Sequence, residues 1–274
     1  MRKATGAIVM IAGGLLLAAM PVRADVPVSL SHSVYLGGIY LGSVDTEIQS
    51  TQDEYRIESH AITNRKLEWM LDWVAEGRTE GVVEKGGRLK PVGHFHESAW
   101  RGKKRGNLIS YQADGQVSVT PLGKQPADKT KYTALNPEDI HHSIDPLSMV
   151  LEVSRRLDRG EECRGSYPVF DGRRRYDVSL SEVKPRSFPP SSYSVFQGQA
   201  RGCKLEIDKR GGFRKNADYN LTEQGDLIVW VSAPAQGARM VPVRLQVDTP
   251  LGGMEMHLDR YREGPTELVI DRNR

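Results

Sequence analysis

The sequence has few cysteines, no long apolar run after its first two dozen residues, and none of the common catalytic motifs. Two cysteines in 274 residues exclude a cysteine-rich metal fold and a dense disulfide scaffold. No apolar run of about 20 residues occurs beyond the amino terminus, so no transmembrane helix is expected there. The GxSxG, P-loop, HExxH and dinucleotide-binding patterns are also missing. Nothing in the sequence therefore indicates an enzyme class.

The amino terminus has the pattern of an export signal. Arg2 and Lys3 precede an apolar run over Ala7–Met20, and Val22–Ala24 has small side chains where a signal peptidase requires them. We therefore predict a secretory signal peptide over residues 1–24, cleaved after Ala24, and a periplasmic mature protein. No cysteine follows the cleavage point, so a lipid anchor is not expected there.

Charge gives no indication of a nucleic-acid partner once this leader is set aside. The chain has 38 Lys and Arg against 35 Asp and Glu, but Arg2, Lys3 and Arg23 belong to the leader. The remaining 250 residues therefore carry 35 charges of each sign. Nucleic-acid-binding domains usually carry a basic excess. The length suits one large β domain or two small ones, and we expect a single β-rich domain over residues 25–274.

The clearest helix signal begins at Asp145. Its carboxylate suits an N-cap, and Pro146 suits the first helical position. Gly160 is expected to end the helix. The apolar residues fall on one stripe at helical spacing, which predicts that this side packs on a sheet; they are Leu147, Met149, Val150, Leu151, Val153 and Leu157.

Most of the remaining chain has the alternating pattern of antiparallel strands. Apolar residues alternate with polar ones over Val28–Leu36 and Val241–Val247, and Asp171-Gly172 is a strong hairpin signal. We count about ten or more short strands separated by turn signals. This predicts a mainly β fold, with a single curved antiparallel sheet in the form of a half-barrel and one main amphipathic helix.

Three further segments receive specific predictions. Asn64 can cap a short second helix, because Leu67, Met70, Leu71 and Val74 follow at helical spacing. The polar segment 121–143 has little periodicity and is predicted to be a long mobile loop over one end of the sheet. The tail 263–274 is expected to be frayed.

The two cysteines, Cys163 and Cys203, both follow the leader. An even number of cysteines in an oxidising compartment favours a disulfide bond between them. This bond would close a loop of about 40 residues and stabilise the fold by roughly 4 kcal/mol on the chain-entropy model. A redox role is not indicated, because no CxxC-like pair is present.

Aromatic and basic residues mark two candidate ligand contacts. Trp69 and Trp73 lie four residues apart and would either cover the mouth of the half-barrel or pack in its core. Arg173, Arg174 and Arg175 follow the hairpin turn, and their guanidinium groups suit phosphate or carboxylate. The alternative for the arginines is a solvated hairpin face paired with nearby acids.

A weaker candidate is a metal pair. His94 and His96 alternate on a strand, so both imidazoles would lie on one face, as a metal site requires. The sequence fixes no acidic ligand beside them. No cofactor is implied by any motif in the chain.

Five short stretches, in order along most of the mature chain, carry a resemblance to a known family. They are Val34–Ile39, Ile144–Ser148, Val169–Asp177, Gly198–Cys203 and Val241–Arg244. In these stretches the chain resembles the bacterial exported family called "domain of unknown function 3108". The resemblance implies a curved half-barrel similar to periplasmic carriers of lipoproteins and lipids, and it implies no activity.

These observations lead to three functional hypotheses. The first is a non-catalytic periplasmic protein that binds or carries an apolar or amphipathic envelope component, such as a lipid, in the concave face of the sheet. The second is an interaction scaffold for envelope proteins, and the third is a metal-assisted hydrolase using His94 and His96.

Overall fold

The computed structural model describes residues 26–123, 128–215, 225–249 and 252–270. The predicted signal peptide, residues 1–24, lies outside this part of the chain. The described residues contain one α-helix, α1 (Pro146–Asp158), and 3-10 turns at Arg65–Leu67, Lys129–Lys131 and Pro137–Ile140.

Fourteen strands form the rest of the described secondary structure. They are β1 (Val28–Leu36), β2 (Ile39–Ser50), β3 (Glu54–Thr63), β4 (Trp73–Val83), β5 (Leu89–Trp100), β6 (Lys103–Tyr111), β7 (Val117–Gly123), β8 (Gly165–Phe170), β9 (Arg175–Phe188), β10 (Gly198–Gly211), β11 (Leu227–Ser232), β12 (Val241–Val247), β13 (Met254–Glu263) and β14 (Thr266–Val269).

All fourteen strands belong to one antiparallel sheet that does not close. The order is β7-β6-β5-β4-β3-β2-β1-β13-β12-β11-β10-β9-β8, and β14 pairs with β13. Two meanders therefore meet where β1 pairs with β13, and the sheet edges are β7 and β8. The alternation of apolar residues sets the register, so that Val28 lies opposite Ile48 and Ile48 opposite Ile57 on one face. The mainly β, open-sheet prediction is confirmed.

The helix shows how strongly the sheet curves. Helix α1 contacts β4 and β5 on one side and β8 on the other, although β5 and β8 are ten positions apart in the sheet. One helix touches both only if the sheet curls around it. Leu151 packs with Tyr55, Ile57 and Leu89. On the other side, Met149 and Leu157 pack with β8–β11 residues such as Val169 and Val178.

A second core cluster lies where the two meanders join. It contains no α1 residue and is built by residues from β1, β9–β13 and the β9–β10 connection. Phe188 packs edge-on against Trp230, with ring centroids 5.4 Å apart. Leu258 and Tyr261 are fully buried there. This part of the sheet is stabilised without a contribution from α1, whereas the concave face near β3–β5 is covered by the helix.

The second helix predicted from Asn64 is wrong beyond a single turn. Arg65–Leu67 form a 3-10 turn in which the Asn64 side chain accepts a hydrogen bond from the Lys66 amide. Trp73 is already in β4, where it lies opposite Trp100 of β5. Cross-strand pairing therefore overrides the helical spacing of the apolar residues.

Of the predicted loop 121–143, residues 121–123 belong to β7, residues 124–127 lie outside the described part of the chain, and residues 128–143 are bound at several points. The His142 amide donates to Gly115 O in the β6–β7 turn (3.0 Å), and the Thr133 amide donates to Phe213 O (2.7 Å). Ile144, just after the segment, makes a parallel bridge to Val169 of the β8 edge. The segment thereby connects the two edges of the sheet, a long-range contact that its own sequence does not reveal.

The tail prediction also needs correction. Residues 266–269 form β14, which pairs with β13 from Arg260 to Glu263, and only residues 271–274 of the tail fall outside the described part. Among the described residues, no helix combines the length and apolarity needed to cross a bilayer.

Candidate functional site: an apolar cavity beside the helix

A buried carboxylate fixes the start of α1 on the sheet. Asp145 is fully buried and accepts hydrogen bonds from the amides of Leu147 and Ser148, each at 3.0 Å. The Ser148 hydroxyl donates to its second oxygen at 2.5 Å. Thr79 of β4 donates to the first oxygen at 2.8 Å. The predicted N-cap is therefore also the point at which the helix is attached to the sheet.

Two hydroxyl chains end on this carboxylate. The Thr79 hydroxyl donates to Asp145, so it must accept from His94 Nδ1, which lies 2.6 Å away. In the same way Tyr55 donates to the Ser148 hydroxyl at 2.7 Å. Burial alone raises the pKa of Asp145, but hydrogen bonds from His94 and Ser148 outweigh it and hold the pKa below the usual aspartate value. The network stabilises an ionised aspartate inside the protein.

This arrangement does not support the hydrolase hypothesis. The hypothesis requires His94 as a metal ligand, but His94 Nδ1 lies 2.6 Å from the Thr79 hydroxyl and 3.3 Å from Asp145 Oδ1. His96 lies on the same face as His94. Burial lowers the pKa of His96, and the positive charge of His94 nearby lowers it further. No group of three His, Cys, Asp or Glu suited to a metal ion occurs among the residues with described positions.

An apolar cavity lies between α1 and the concave face, and its lining runs along the helix from Leu147 to Asp158. Its volume is about 460 Å³, within the range of roughly 300–1,000 Å³ that small-molecule sites usually have. Most of its wall is apolar side chain: Val28, Leu30, Val44, Ile48, Ile57, Leu147, Val150, Leu151, Met240, Val241, Pro242 and Met256. Val150 is 41% exposed although it belongs to the apolar stripe, because it faces this open space.

The rest of the lining is polar and includes His32, one carboxylate, Asp158, and three arginines. His32 on β1 is buried and donates Nε2–H to Pro242 O at 2.9 Å. Burial lowers the pKa of His32, an effect larger than the opposing influence of its hydrogen bond and nearby acids. The neutral imidazole is thus tied to the backbone and adds no charge to the cavity interior.

Three arginines lie where the cavity meets the surface. Arg155 and Arg159 come from the last turns of α1, and Arg239 precedes β12. Arg159 pairs with Glu161 at 2.7 Å, and Arg239 pairs with Glu263 at 3.0 Å. Arg155 contacts only neutral oxygens, from Ser50 Oγ and from Thr51 O at 3.2 Å. No carboxylate forms an ion pair with it among the described side chains.

Arg155 is therefore the least neutralised charge at the cavity. Burial lowers the pKa of its guanidinium, and the positive charges of Arg159 and Arg239 lower it further, with only partial compensation from Asp158. Three guanidinium groups beside an apolar wall favour a ligand with an anionic group and an apolar part.

The disulfide holds the end of α1 near this cavity. Cys163 and Cys203 are bonded, as predicted, with Cα atoms 5.8 Å apart. Both are buried in the cluster that contains Leu157 and Val231. The bond therefore links the chain just after the helix to β10 and limits how far the helix can move away from the sheet.

The aromatic and basic residues singled out in the sequence lie at the other end of the concave face. Trp73, His96, Arg173 and Arg174 line one surface cleft of about 410 Å³, which we call the tryptophan cleft. Trp100, Lys103, Arg105 and Asp171 also belong to this lining, together with Ser98, Gly106 and Asn107. Trp69 lies outside the cleft, on the exposed β3–β4 loop. Neither tryptophan covers the apolar cavity.

The arginine triplet separates into different roles. Arg175 is buried, pairs with Asp177 at 2.7 Å and donates Nε–H to Asp139 O. Arg174 pairs with Asp171 at 2.7 Å. The Arg173 guanidinium lies over the Tyr132 ring, 5.7 Å from its centroid. Arg175 is thus structural, while Arg173 and Arg174 reach the cleft.

Sequence reasoning missed Arg155, Arg159 and Arg239 as a group. Arg155 and Arg159 are not part of the apolar stripe of α1, and Arg239 lies in a glycine-containing turn before β12. Their separation along the chain gave no signal that they meet. The sequence predicted that Val150 packs on the sheet, and its 41% exposure is known only from the structure.

Comparison with known proteins places the chain in a family. The model of the family described as "Protein of unknown function (DUF3108)" matches residues 31–259, which is most of the chain. The chain belongs to this family. The resemblance predicted from five short stretches is thereby confirmed. No protein with a curated description matches the chain significantly.

A solved structure supports the fold assignment. The chain is similar to a Brucella abortus protein described as a "Beta-barrel-like Protein of Domain of Unknown Function DUF1849", with a TM-score of 0.53 and 12% identity. The alignment covers 88% of this chain and 99% of that one. At this identity the similarity concerns the fold and says nothing about a ligand.

Proposed function

We propose that this protein binds an amphipathic, anionic component of the cell envelope, with its apolar chain in the cavity beside α1. The observation that carries the proposal is the apolar cavity with Arg155, Arg159 and Arg239 at its surface. Burying an acyl chain contributes about 0.8 kcal/mol per CH₂ group. The arginines would add charge-assisted hydrogen bonds to a phosphate or carboxylate.

The proposed setting is the periplasm after removal of residues 1–24. The Arg2–Ala24 pattern supports this setting, and so does the Cys163–Cys203 bond, since disulfides persist in oxidising compartments. Amino-terminal analysis of protein isolated from fractionated cells tests it. A mature chain beginning at Asp25 in the periplasmic fraction is expected, and an intact Met1 form retained in the cytoplasm would refute it.

The first test is native mass spectrometry of this isolated protein, followed by solvent extraction and lipid analysis. We expect a bound acyl-containing molecule at near-stoichiometric level. The proposal would be contradicted if the protein shows only a ligand-free mass and also does not bind lysophosphatidylglycerol in the titration described next. That result would favour the interaction-scaffold hypothesis.

The second test separates the apolar and anionic parts of the ligand. Lysophosphatidylglycerol and lysophosphatidylcholine share a single acyl chain, but only the first has a net negative charge. We expect tighter binding of lysophosphatidylglycerol, and Arg155→Gln should reduce this preference by about tenfold. Arg56→Gln is the matched control, because Arg56 is exposed and pairs with Glu58 away from the cavity. An equal effect of both variants would contradict a specific role for Arg155.

A further inference from the structure

Exposed apolar side chains cluster at the end of the sheet that carries the tryptophan cleft. Trp69 is 78% exposed, Met70 49%, Trp100 47% and Trp73 37%. We call these four residues the tryptophan cluster. Single exposed apolar residues are common on protein surfaces, but a group of large ones usually marks an interaction site. The apolar cavity opens among Ser50, Thr51 and Gln52 at the opposite end of β2 and β3, so the cluster is a separate feature.

The tryptophan cluster is formed by two neighbouring loops, the β3–β4 loop and the β5–β6 turn, which contact each other. Trp73 and Trp100 are direct cross-strand partners on β4 and β5. The Arg101 amide donates to Asp72 O at 2.9 Å, and its guanidinium donates to Met70 O at 3.5 Å. Arg101 adopts φ 47° beside Gly102 at φ 71°, which is the backbone that a two-residue hairpin turn needs. The two connections therefore present one surface rather than two independent loops.

This surface is strongly basic. Arg101, Lys103, Lys104 and Arg105 are exposed in and beside the β5–β6 turn. Lys104 pairs with Glu97 at 2.7 Å, whereas no described carboxylate forms an ion pair with the other three. In the β3–β4 loop, Arg65 and Lys66 balance Glu68 and Asp72. The positive charge of the surface thus comes from the β5–β6 turn.

Tryptophan beside lysine and arginine is the combination expected at a membrane surface. The indole ring favours the boundary between acyl chains and headgroups. Each Lys or Arg near an anionic bilayer is attracted to it, and the attraction is screened by salt. Protein interfaces are also rich in tryptophan and arginine, but lysine is depleted in them. Lys103 and Lys104 beside the indoles therefore favour lipid over a protein partner.

We propose that the tryptophan cluster and the adjacent basic turn dock the protein on an anionic lipid bilayer. In this orientation Trp69 and Met70 enter the headgroup region. Arg101, Lys103 and Arg105 contact lipid phosphates. The proposal goes beyond ligand binding in the cavity, since a protein could have either site without the other.

The test uses residues 25–274, because the apolar run in Ala7–Met20 would itself enter vesicles. All described strands and the helix lie after residue 26. Vesicles of phosphatidylcholine alone are compared with mixed phosphatidylglycerol–phosphatidylcholine vesicles by flotation. Tryptophan fluorescence gives a second measurement. Three of the four tryptophans lie in the cluster, and the fourth, Trp230, is buried. A shift to shorter wavelength thus reports cluster insertion.

Two variants with matched controls decide the outcome. Trp69→Ala/Met70→Ser should weaken binding to the anionic vesicles by at least about tenfold, and Lys103→Gln/Arg105→Gln by about fivefold per charge. Val92→Ser is the apolar control, because Val92 is exposed at the other end of β5. Lys85→Gln/Arg88→Gln removes the same charge from the opposite turn. Both controls should bind like the unmodified protein.

Three results would overturn the proposal. One is equal binding of the unmodified protein to neutral and anionic vesicles, or binding to neither. Another is a loss in the controls as large as in the cluster variants. The third is a photo-crosslinker at position 69 that captures a protein and no lipid in intact cells. All variants change exposed side chains, and unchanged thermal unfolding will show that they remain folded.

Discussion

The two ends of the concave face differ in how their apolar groups are covered. At one end α1 lies against the sheet, and the apolar side chains line a cavity with three arginines at its surface. At the other end the described residues provide no α-helix, and Trp69, Met70, Trp73 and Trp100 are exposed beside a basic turn. The first end has the form of a small-molecule site, while the second has the form of a docking surface.

The difference follows from where α1 is attached. Asp145 fixes the helix start to Thr79 near the middle of β4, and the disulfide fixes the chain just after its end to β10. The helix therefore covers only part of the concave face. Beyond Leu147, which approaches Gly77, no α-helix from the described part of the chain covers the sheet. Changing either attachment should affect the cavity end more than the tryptophan cluster.

The largest effect is expected from removing the disulfide. Cys163→Ala/Cys203→Ala should lower the free energy of unfolding by about 4 kcal/mol, because the unfolded chain loses a cross-link across a long loop. Urea unfolding measures the change. Where the variant remains folded, it should lose lysophosphatidylglycerol binding before it loses vesicle binding. A stability loss below about 1 kcal/mol would show that the bond does little to hold the helix.

The next effect concerns the buried carboxylate. Asp145→Ala should cost about 3 kcal/mol, because it removes the helix cap and leaves the Thr79 and Ser148 hydroxyls without their acceptor. Asp53→Ala, at an exposed turn residue, is the control and should change stability by less than about 0.5 kcal/mol. Similar losses in the two variants would contradict the role of Asp145 as the attachment point.

The same residue predicts a pH dependence. The pKa of Asp145 is lower in the folded protein than its ordinary value. Its ionised form therefore stabilises the fold above the unfolded pKa of about 4, and this contribution is lost as the pH falls through the folded pKa. Asp145→Asn should be less stable than the unmodified protein at neutral pH, and the gap should narrow in acid. A gap that stays constant on acidification would contradict the assignment.

A smaller effect is expected from filling the cavity. Val150→Trp should reduce lysophosphatidylglycerol affinity by at least tenfold, or about 1.4 kcal/mol, because the added ring occupies the space beside α1. Val269→Trp places the same change on exposed β14 and should leave affinity unchanged. Vesicle binding should be equal in both variants. If Val150→Trp weakens vesicle binding as well, the two ends are not independent.

The smallest effect is on stability at Arg155. Arg155→Gln should raise the free energy of unfolding by about 0.5 kcal/mol, since it relieves repulsion from Arg159 and Arg239 that solvent already screens in part. Lys103→Gln/Arg105→Gln should leave stability unchanged. Urea unfolding of the two variants makes the comparison. A clear loss of stability in Arg155→Gln would indicate that its contacts with Ser50 and Thr51 are structural rather than part of a ligand site.

Several features of the fold could be predicted because their signals are local. Alternation over Val28–Leu36 and Val241–Val247 indicated strands, and both segments are strands in the structure. Asp145 and Pro146 gave the start of α1. The even cysteine count gave the disulfide. Where a local signal competed with pairing, pairing prevailed, as for the second helix, whose residue Trp73 pairs with Trp100 instead.

The sequence by itself determined the strands, the helix and its cap, because each depends on residues that are close together in the chain. It also determined the disulfide, because the chain has two cysteines and each has the other as its possible partner. Tertiary structure alone decided which distant residues meet. It brought Arg239 to Arg155 and Arg159 at the cavity, and it placed Trp73 and Trp100 beside the basic turn. The curvature of the sheet brings these distant residues together. This curvature arises from strand order, register and the position of the helix rather than from any single segment.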